Sequence, residues 1–312
     1  MRVAFYVEKA ESDWSYGRLF LEWAKILNFD IIDQISHLND DYQFIISDDT
    51  LSIRISKEIP SIRNKILPYA QTLFGLNMLR KGKKGLIRRA GSLFPFYLTS
   101  TWYVKEMRSF DIILSNSIGT SSLLHHLYNL YSDYIAYPGI NNNVFKPLSS
   151  KKNQVLIYSS APYLPEIFDP IDVQATKNFI SVAKTLGYEV HSFGRKLPFD
   201  TDIIQHINIG RDDLIKLYSS SVVTFTPQPV ELFGLVPVES MFCGTPVIST
   251  YFHEAIDVDA NGYVYNSKKL DKIIEKVSSF KKNEVIQSVE RFSLTKSSQN
   301  LIRILNELIK LQ

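Results

Sequence analysis

Apolar residues along the first part of the chain change period in a regular way. Val3–Val7 (VAFYV) is a short, continuously apolar run, which is typical of a parallel strand buried on both faces. After it, spacings of three and four predict one buried helix face over Tyr16–Leu27, formed by Leu19, Phe20, Trp23, Ile26 and Leu27. Further strands are predicted at Asp30–Asp33, Phe44–Ser47 and Ile112–Ser115. Strands separated by helices indicate a doubly wound parallel sheet of the α/β class.

A second set of elements begins after Pro147 and the polar stretch LSSKKNQ. The alternation repeats there, with strands predicted at Val155–Tyr158, Glu189–Phe193, Val222–Thr226 and Pro246–Ser249, and helices at Val173–Leu186, Asp212–Ser219 and Val238–Phe242. The pattern therefore predicts two Rossmann-like domains, residues 1–148 and 149–295. A terminal helix over 296–312 is expected to pack back on the first domain.

Composition narrows the class of protein. The 312 residues are 45% hydrophobic and 21% charged, which is typical of globular domains, and the length suits two of them. No segment approaches the ~18 uncharged apolar residues of a membrane-spanning helix. The single cysteine, Cys243, cannot form an internal disulfide, and no Cys/His group has metal-ligand spacing. We therefore expect a cytoplasmic protein, soluble or lying on a membrane surface, without structural zinc.

Charge is nearly balanced overall but clustered locally. The formal charge is +3, from 35 Lys and Arg against 32 Asp and Glu. Residues 54–89 hold ten Lys or Arg and one acid, Glu58, and the stretch 80–97 adds apolar and aromatic side chains. This mixture suits an anionic membrane surface or an anionic acceptor, and the alternative is a solvated basic helix and loop. Nucleic acid has only this charge in its favour, so we expect no nucleic-acid partner.

The segment with the clearest chemical pattern is Val222–Thr250. A buried strand leads into a loop with Glu231 and Gly234, and a helix starting near Pro237 carries Glu239. At the carboxyl edge of a parallel sheet, such a loop and helix start would face the crevice where α/β folds bind ligands. Its free backbone N–H groups suit sugar hydroxyls or phosphate.

This segment resembles the signature of the family 4 retaining glycosyltransferases, whose GT-B architecture has two Rossmann-like domains facing a cleft. The resemblance extends over most of the chain. The other segments that match in order and spacing are Tyr137–Ile140, Val144–Pro147, Ile209–Tyr218, Phe252–Glu254 and Asn261–Val264.

The resemblance assigns roles to the two glutamates. It implies that Glu231 lies beside the donor sugar and that Glu239 holds the nucleotide ribose. The backbone of Phe233, Gly234 and Leu235 would approach the sugar and the phosphates. A carboxylate can accept two hydroxyl hydrogen bonds at once, which suits both glutamates. The alternatives are a solvated loop carboxylate for Glu231 and, for Glu239, an acid favoured by the helix dipole.

Transfer from a nucleoside diphosphate sugar also needs cations, because negative charge builds on the leaving diphosphate. The family usually has an Arg and a Lys after the first strand of the second domain, but residues 159–170 contain neither. Arg195 and Lys196, after the strand that ends at Phe193-Gly194, are the best candidates, and Lys177 is a weaker one. A solvated basic loop is the alternative for the pair.

The first domain departs further from the family. In place of the family's glycine-rich turn after the first strand there is only Gly17, whose backbone could approach a phosphate of the donor. The family commonly has a histidine after the strand that here ends near Leu114, and Asn116 or Ser117 stands there instead. These two residues are candidates for an acceptor-side or catalytic role.

Together these features predict a retaining glycosyltransferase of the hexosyltransferase type, which moves a sugar from a nucleoside diphosphate donor to a hydroxyl of a glycan, lipid-linked or protein acceptor. No cofactor and no metal are expected, because the aspartate pairs at 200–202 and 257–259 lack the setting of a metal-binding pair. The alternative is a catalytically degenerate homologue that keeps the fold as a binding or scaffold protein, since the family's basic pair and histidine are missing from their usual places.

Overall fold

Residues 1–8, 15–71, 101–159, 171–228 and 233–311 are those that the structure, a computed structural model, describes. The chain forms two units, one made of Met1–Gly139 with Leu294–Gln312 and the other of Ile140–Ser293. Residues 140–148, which the sequence pattern assigns to the first domain, pack with the second unit. Val144 and Phe145 lie against one of its apolar clusters, and the backbone N–H of Leu148 donates to Ser219 Oγ at 3.1 Å.

The first unit is built on a six-stranded, fully parallel sheet. Strands β1 (Val3–Tyr6), β2 (Asp30–Ile32), β3 (Phe44–Asp48), β4 (Ile66–Ala70), β5 (Leu114–Ser115) and β6 (Tyr134–Ile135) lie in the order β2-β1-β3-β4-β5-β6. Helices α1 (Ser15–Leu27), α2 (Asp49–Glu58) and α3 (Ile118–Tyr128) follow β1, β3 and β5. The strand order reverses between β1 and β3, which is the position where doubly wound sheets bind ligands.

The second unit is built on another six-stranded parallel sheet. Strands β7 (Gln154–Ser159), β8 (Glu189–Gly194), β9 (Ile204–Ile207), β10 (Val223–Thr226), β11 (Val247–Ser249) and β12 (Gly262–Val264) lie in the order β12-β11-β10-β7-β8-β9. Its helices are α4 (Val173–Thr185), α5 (Arg211–Ser220), α6 (Leu235–Phe242), α7 (Leu270–Ser278) and α8 (Lys282–Ser288). The order reverses between β10 and β7. The predicted α/β class with two parallel sheets is confirmed.

Strand β7 shows why the central strands carry apolar side chains on both faces of the sheet. Val155 and Ile157 point into a cluster on one face of the sheet, where the rings of Phe179 and Phe225 stack at 4.3 Å. Leu156 points into a separate cluster on the opposite face. Because both faces of the sheet are covered, apolar side chains on either side of this strand are buried.

Helix α9 (Leu294–Leu311) belongs to the first unit. Its apolar stripe, which includes Leu301 and Leu305, is buried in the same core as Trp23 of α1. The indole N–H of Trp23 donates to Ser297 Oγ at 2.9 Å. Gly139 allows this packing, because a Cβ there would lie 2.7 Å from Leu294 Cα. Within the described ranges, no helix is both long enough and apolar enough to cross a bilayer.

Candidate functional site

The carboxyl ends of β7 and β10 flank the point where the second sheet reverses its strand order. The loop after β10 is described as far as Gln228, whose buried side-chain amide donates to Tyr158 O at 3.4 Å. Thr250, after β11, donates from Oγ1 to Gln228 O at 2.7 Å. Glu231 lies outside the described residues. The described part of the loop is therefore held at the expected ligand edge by contacts to the ends of β7 and β11.

The loop re-enters the described structure at Phe233 and leads directly into α6. Gly234 stands at the N-cap with a φ of 58°, a left-handed conformation that favours glycine, and among the described residues no side chain caps the helix. The first N–H groups of a helix have no partner within it, and those of Leu235 and Val236 have no acceptor in the part of the chain that the structure describes. Pro237 suits the first turn because its missing N–H would be one of these unused donors. The predicted backbone contacts at Phe233–Leu235 therefore coincide with an uncapped helix start.

His253, in the turn after β11, contacts this helix start. From the sequence it was identified only as part of Phe252–Glu254, a segment that resembles the glycosyltransferase family. Its side chain is 2% exposed, and its Nε2 contacts the carbonyl oxygens of Phe233 and, at 3.0 Å, Gly234. Ala255 N donates to the other ring nitrogen, Nδ1, at 3.0 Å. The turn after β11 is thereby joined to the start of α6.

Glu239 lies one turn further along α6 and is half-buried. The Tyr218 hydroxyl donates to Glu239 Oε2 at 3.4 Å, and the Tyr218 ring meets Phe193 edge-on at 5.4 Å. Burial, followed by the charge of Glu239, raises the pKa of Tyr218 well above its usual value, so the phenol stays protonated and can donate. The sequence marks Tyr218 only as the end of a matching segment. The carboxylate is thus oriented by a buried aromatic side chain.

Cys243 lies one turn beyond Glu239 and is buried. Burial, followed by the nearby Glu239 carboxylate, raises the pKa of the thiol to about 12. A thiol with this pKa carries almost no thiolate at neutral pH, so Cys243 is an apolar packing residue rather than a nucleophile.

Arg195 and Lys196 follow the end of β8, next to β7 in the sheet. Gly194 has a φ of 104°, and a Cβ there would collide with Ser159 O, so glycine allows the two strand ends to approach closely. Arg195 N donates to Ser159 O at 2.9 Å. Both side chains are exposed, and no described carboxylate forms an ion pair with either. Arg195 and Lys196 therefore follow β8, whereas the family usually has its Arg and Lys after the neighbouring strand, which here is β7.

Lys177, the weaker cation candidate, is engaged elsewhere. Its ammonium group lies 5.1 Å from the centre of the Phe199 ring. Lys177 is on α4, and this cation–π contact favours a role for its side chain in packing against Phe199.

In the first unit, Gly17 is buried in the first turn of α1, not in a turn after β1. Its N–H is one of the helix-start donors, so a backbone contact there remains feasible. After β5, Ser117 caps α3: its Oγ accepts from Thr120 N and donates to Thr120 Oγ1, both at 2.9 Å. The Asn116 side-chain oxygen accepts from Thr120 Oγ1. The Ser117 hydroxyl is thus committed to the cap, and both side chains are buried.

The described part of the basic segment is charge-balanced. Arg54 pairs with Glu8 and Glu58, Lys57 and Arg63 both pair with Glu106, and Lys65 pairs with Asp40. Three of these acids lie outside residues 54–89. The stretch 80–97, on which the membrane expectation rests, lies outside the described residues.

Among the described residues, no group of three or more His, Cys, Asp or Glu side chains is placed to hold a metal ion. The aspartates of the two loop pairs have other contacts. Asp202 pairs with Lys184, and Asp257 accepts from the backbone N–H of Asp259 at 3.1 Å. Their contacts are those of ordinary loop acids.

Comparison with known proteins identifies the class of fold. Residues 192–308 match the family model described as "Glycosyl transferases group 1". Sucrose-phosphate synthase from Thermosynechococcus elongatus is similar over 100% of both chains, with 12% identity and a TM-score of 0.72. Anabaena HepE, solved with UDP and glucose, covers 98% of this chain and 100% of its own, with 13% identity and a TM-score of 0.64.

The lipopolysaccharide outer core galactosyltransferase WaaB covers 98% of this chain and 99% of its own, with 12% identity and a TM-score of 0.62. A comparison with curated proteins gave no match. Residues 192–308 therefore carry the pattern of glycosyl transferases group 1, and the chain has the GT-B fold of solved glycosyltransferases.

Proposed function

We propose that this protein is a retaining glycosyltransferase of the family 4 type, which transfers a hexose from a nucleoside diphosphate sugar to an acceptor hydroxyl. One observation carries the proposal: the start of α6 and Glu239 lie on one short helix at the ligand edge of the second sheet, within the residues 192–308 that match glycosyl transferases group 1. HepE has been solved with UDP-glucose, which makes a uridine nucleotide the first donor to test.

In the proposed mechanism the acceptor hydroxyl attacks from the side of the departing diphosphate, whose oxygen takes the proton. Glu239 binds the ribose, and the N–H groups at the start of α6 bind the sugar and phosphates. Arg195 and Lys196 stabilise the charge that develops on the diphosphate. Glu231 positions the donor sugar, so no protein nucleophile is required.

The alternative, a degenerate binding or scaffold protein, draws no support from the comparisons. Arg195 and Lys196 are exposed beside Ser159 and can supply the positive charge that residues 159–170 lack. We therefore favour an active enzyme.

Thermal unfolding with a panel of nucleoside diphosphates and their sugars tests the proposal. A ligand that binds only the folded protein stabilises it by about 2.7 kcal/mol at a hundred times its Kd, so Tm should rise with at least one of them. Release of the same diphosphate from its sugar, with inversion or retention followed by NMR, tests transfer. No shift with any nucleotide would refute the proposal.

We expect EDTA to leave the activity largely intact, because cationic side chains take the role of a metal at the diphosphate. The measurement is diphosphate release in buffer with and without EDTA, followed by addition of Mg²⁺ or Mn²⁺. Complete loss that either metal restores would contradict this expectation.

We also propose that the protein acts in the cytoplasm and contacts anionic membrane through residues 80–97. Attraction of about 1 kcal/mol per basic residue would make Arg80, Lys81, Lys83 and Lys84 sufficient for reversible attachment. Sedimentation with liposomes should therefore require anionic lipid, fall with salt, and disappear when the four residues are changed to Gln. Failure to sediment with either anionic or zwitterionic liposomes would remove the membrane contact and leave sugar transfer untouched.

A further inference from the structure

We propose that His253 is a positioning residue of the donor site: its neutral imidazole sets the direction of the backbone N–H groups at the start of α6. The inference rests on the proposed function, because those N–H groups are the ones expected to meet the donor sugar and phosphates. His253 touches no reacting atom in this proposal and acts only through the backbone.

The hydrogen bonds assign the tautomer of His253. Since Ala255 N donates to Nδ1 at 3.0 Å, Nδ1 carries no hydrogen, and the ring hydrogen is on Nε2. Nε2 then donates to the carbonyl oxygens of Phe233 and Gly234, the latter at 3.0 Å. Both ring nitrogens are therefore satisfied by backbone groups, one on each side of the ring.

Peptide planarity transmits this contact to the ligand side. The carbonyl of Phe233 shares a rigid plane with the N–H of Gly234, and the carbonyl of Gly234 shares one with the N–H of Leu235. Within each trans peptide the two groups point in opposite directions. When His253 holds the two carbonyls, it fixes the two N–H groups toward the opposite side.

Packing keeps the imidazole in place. The ring centroid of His253 lies 5.3 Å from that of Phe233 and 5.9 Å from that of Tyr251, and Phe233 packs on Phe292 at 5.3 Å. Gly234 has left-handed dihedrals and no side chain of its own to brace the turn. The geometry of the uncapped helix start thus depends on an external donor, and His253 is that donor among the described residues.

Protonation of His253 opposes this arrangement. A second ring hydrogen would sit on Nδ1 and point at the N–H of Ala255, which is also a donor. Burial lowers the pKa of His253, the two accepting carbonyls oppose the shift, and Arg291 adds a smaller lowering, so that the pKa is about 4. The other titratable groups at this turn are Tyr251, whose ring packs on His253, and the neighbouring Glu254, whose backbone oxygen accepts from Arg291. The imidazole is therefore neutral at pH 7, and its contribution to donor binding is lost as pH falls toward 4.

Two isosteric substitutions separate the roles of the two ring nitrogens. In His253→Gln the amide nitrogen takes the place of Nε2 and can still donate to the carbonyls. In His253→Asn the side-chain oxygen takes the place of Nδ1 and accepts from Ala255 N, but nothing reaches the carbonyls. Neither variant titrates. His126→Gln, an exposed histidine on α3 in the first unit, is the matched control.

Calorimetric titration with UDP, and with GDP and ADP in parallel, measures the outcome. At pH 7 we expect His253→Asn to bind about tenfold more weakly, as loss of one or two hydrogen bonds predicts. His253→Gln should retain most of the affinity, and its affinity should fall less than that of the wild type as pH is lowered below 5. A lower Tm in both variants with unchanged nucleotide affinity, or equal weakening in both, would overturn the inference.

Hydrogen exchange keeps the inference testable if no nucleotide binds and the proposed function fails. The amides of Gly234 and Leu235 should exchange faster in His253→Asn than in the wild type, and His253→Gln should resemble the wild type. Equal exchange in all three proteins would overturn the positioning role independently of donor binding.

Discussion

Replacing Glu239 by alanine is expected to weaken binding of the nucleoside diphosphate by about a hundredfold. A hydrogen bond to a charged group contributes about 1.5–3 kcal/mol, and a carboxylate that holds two ribose hydroxyls makes two of them. The Tyr218 hydroxyl, 3.4 Å from Oε2, keeps the carboxylate oriented, so Tyr218→Phe should weaken binding in the same direction by less.

Titration calorimetry with the nucleotide that raises Tm measures this effect. The matched control is Glu275→Gln, an exposed acid on α7 of the same unit, which should bind normally. The family resemblance gives Glu231 the complementary role, so Glu231→Ala should mainly lower kcat and change nucleotide affinity little. Unchanged binding and turnover in both glutamate variants would refute the assignment of this segment.

Removing both cations at the end of β8, in Arg195→Ala with Lys196→Ala, is expected to lower kcat by about a hundredfold to a thousandfold. The reason is that these charges act on negative charge that develops only as the bond to the diphosphate breaks. Binding of the donor in its ground state should weaken by a smaller factor. Because both side chains are exposed and the substitution leaves Gly194 in place, the fold should be retained.

Steady-state diphosphate release at saturating donor measures the change in kcat. Lys272→Gln removes an exposed charge from α7 in the same unit and should have no effect on turnover. Arg195→Lys should lower kcat less than the double alanine variant does, because the lysine keeps a positive charge although it loses the planar guanidinium. A double alanine variant with wild-type kcat would show that the diphosphate is stabilised elsewhere in the protein.

The spacing of apolar residues along the chain was enough to predict most of the helices and strands and the class of fold. Strand β1 is continuously apolar, β7 and β10 are rich in buried apolar residues, and α1 and α4 each carry one apolar stripe, so their type and approximate ends follow from the sequence. Alternation of these elements is enough to predict a doubly wound α/β class, because parallel neighbours need a crossover helix. Glu239 was predicted on a helix for the same reason.

Strands β4, β6, β9 and β12 were not predicted from this pattern, and β4 and β9 show the physical reasons. Strand β4 contains Pro68, which cannot donate to the ladder and argues against a central strand, yet it pairs with Ser47 of β3. Strand β9 lies at the edge of its sheet with every residue at least partly exposed, so it has no continuous apolar run. In both cases the neighbouring strand, and not the local sequence, stabilises the extended backbone.

The partners of the charged side chains, and the contacts between residues far apart in sequence, were set only by the tertiary structure. Residues 54–89 contain one acid in sequence, but the fold brings Glu8, Asp40 and Glu106 to their described basic side chains. His253 and Phe233 are twenty positions apart, and nothing in their spacing predicts a hydrogen bond. A sequence pattern reports which side chains share a face of one element, because that depends on local backbone geometry. Which distant groups meet depends on how strands are ordered and where their ends lie, and this is set only when the sheet forms.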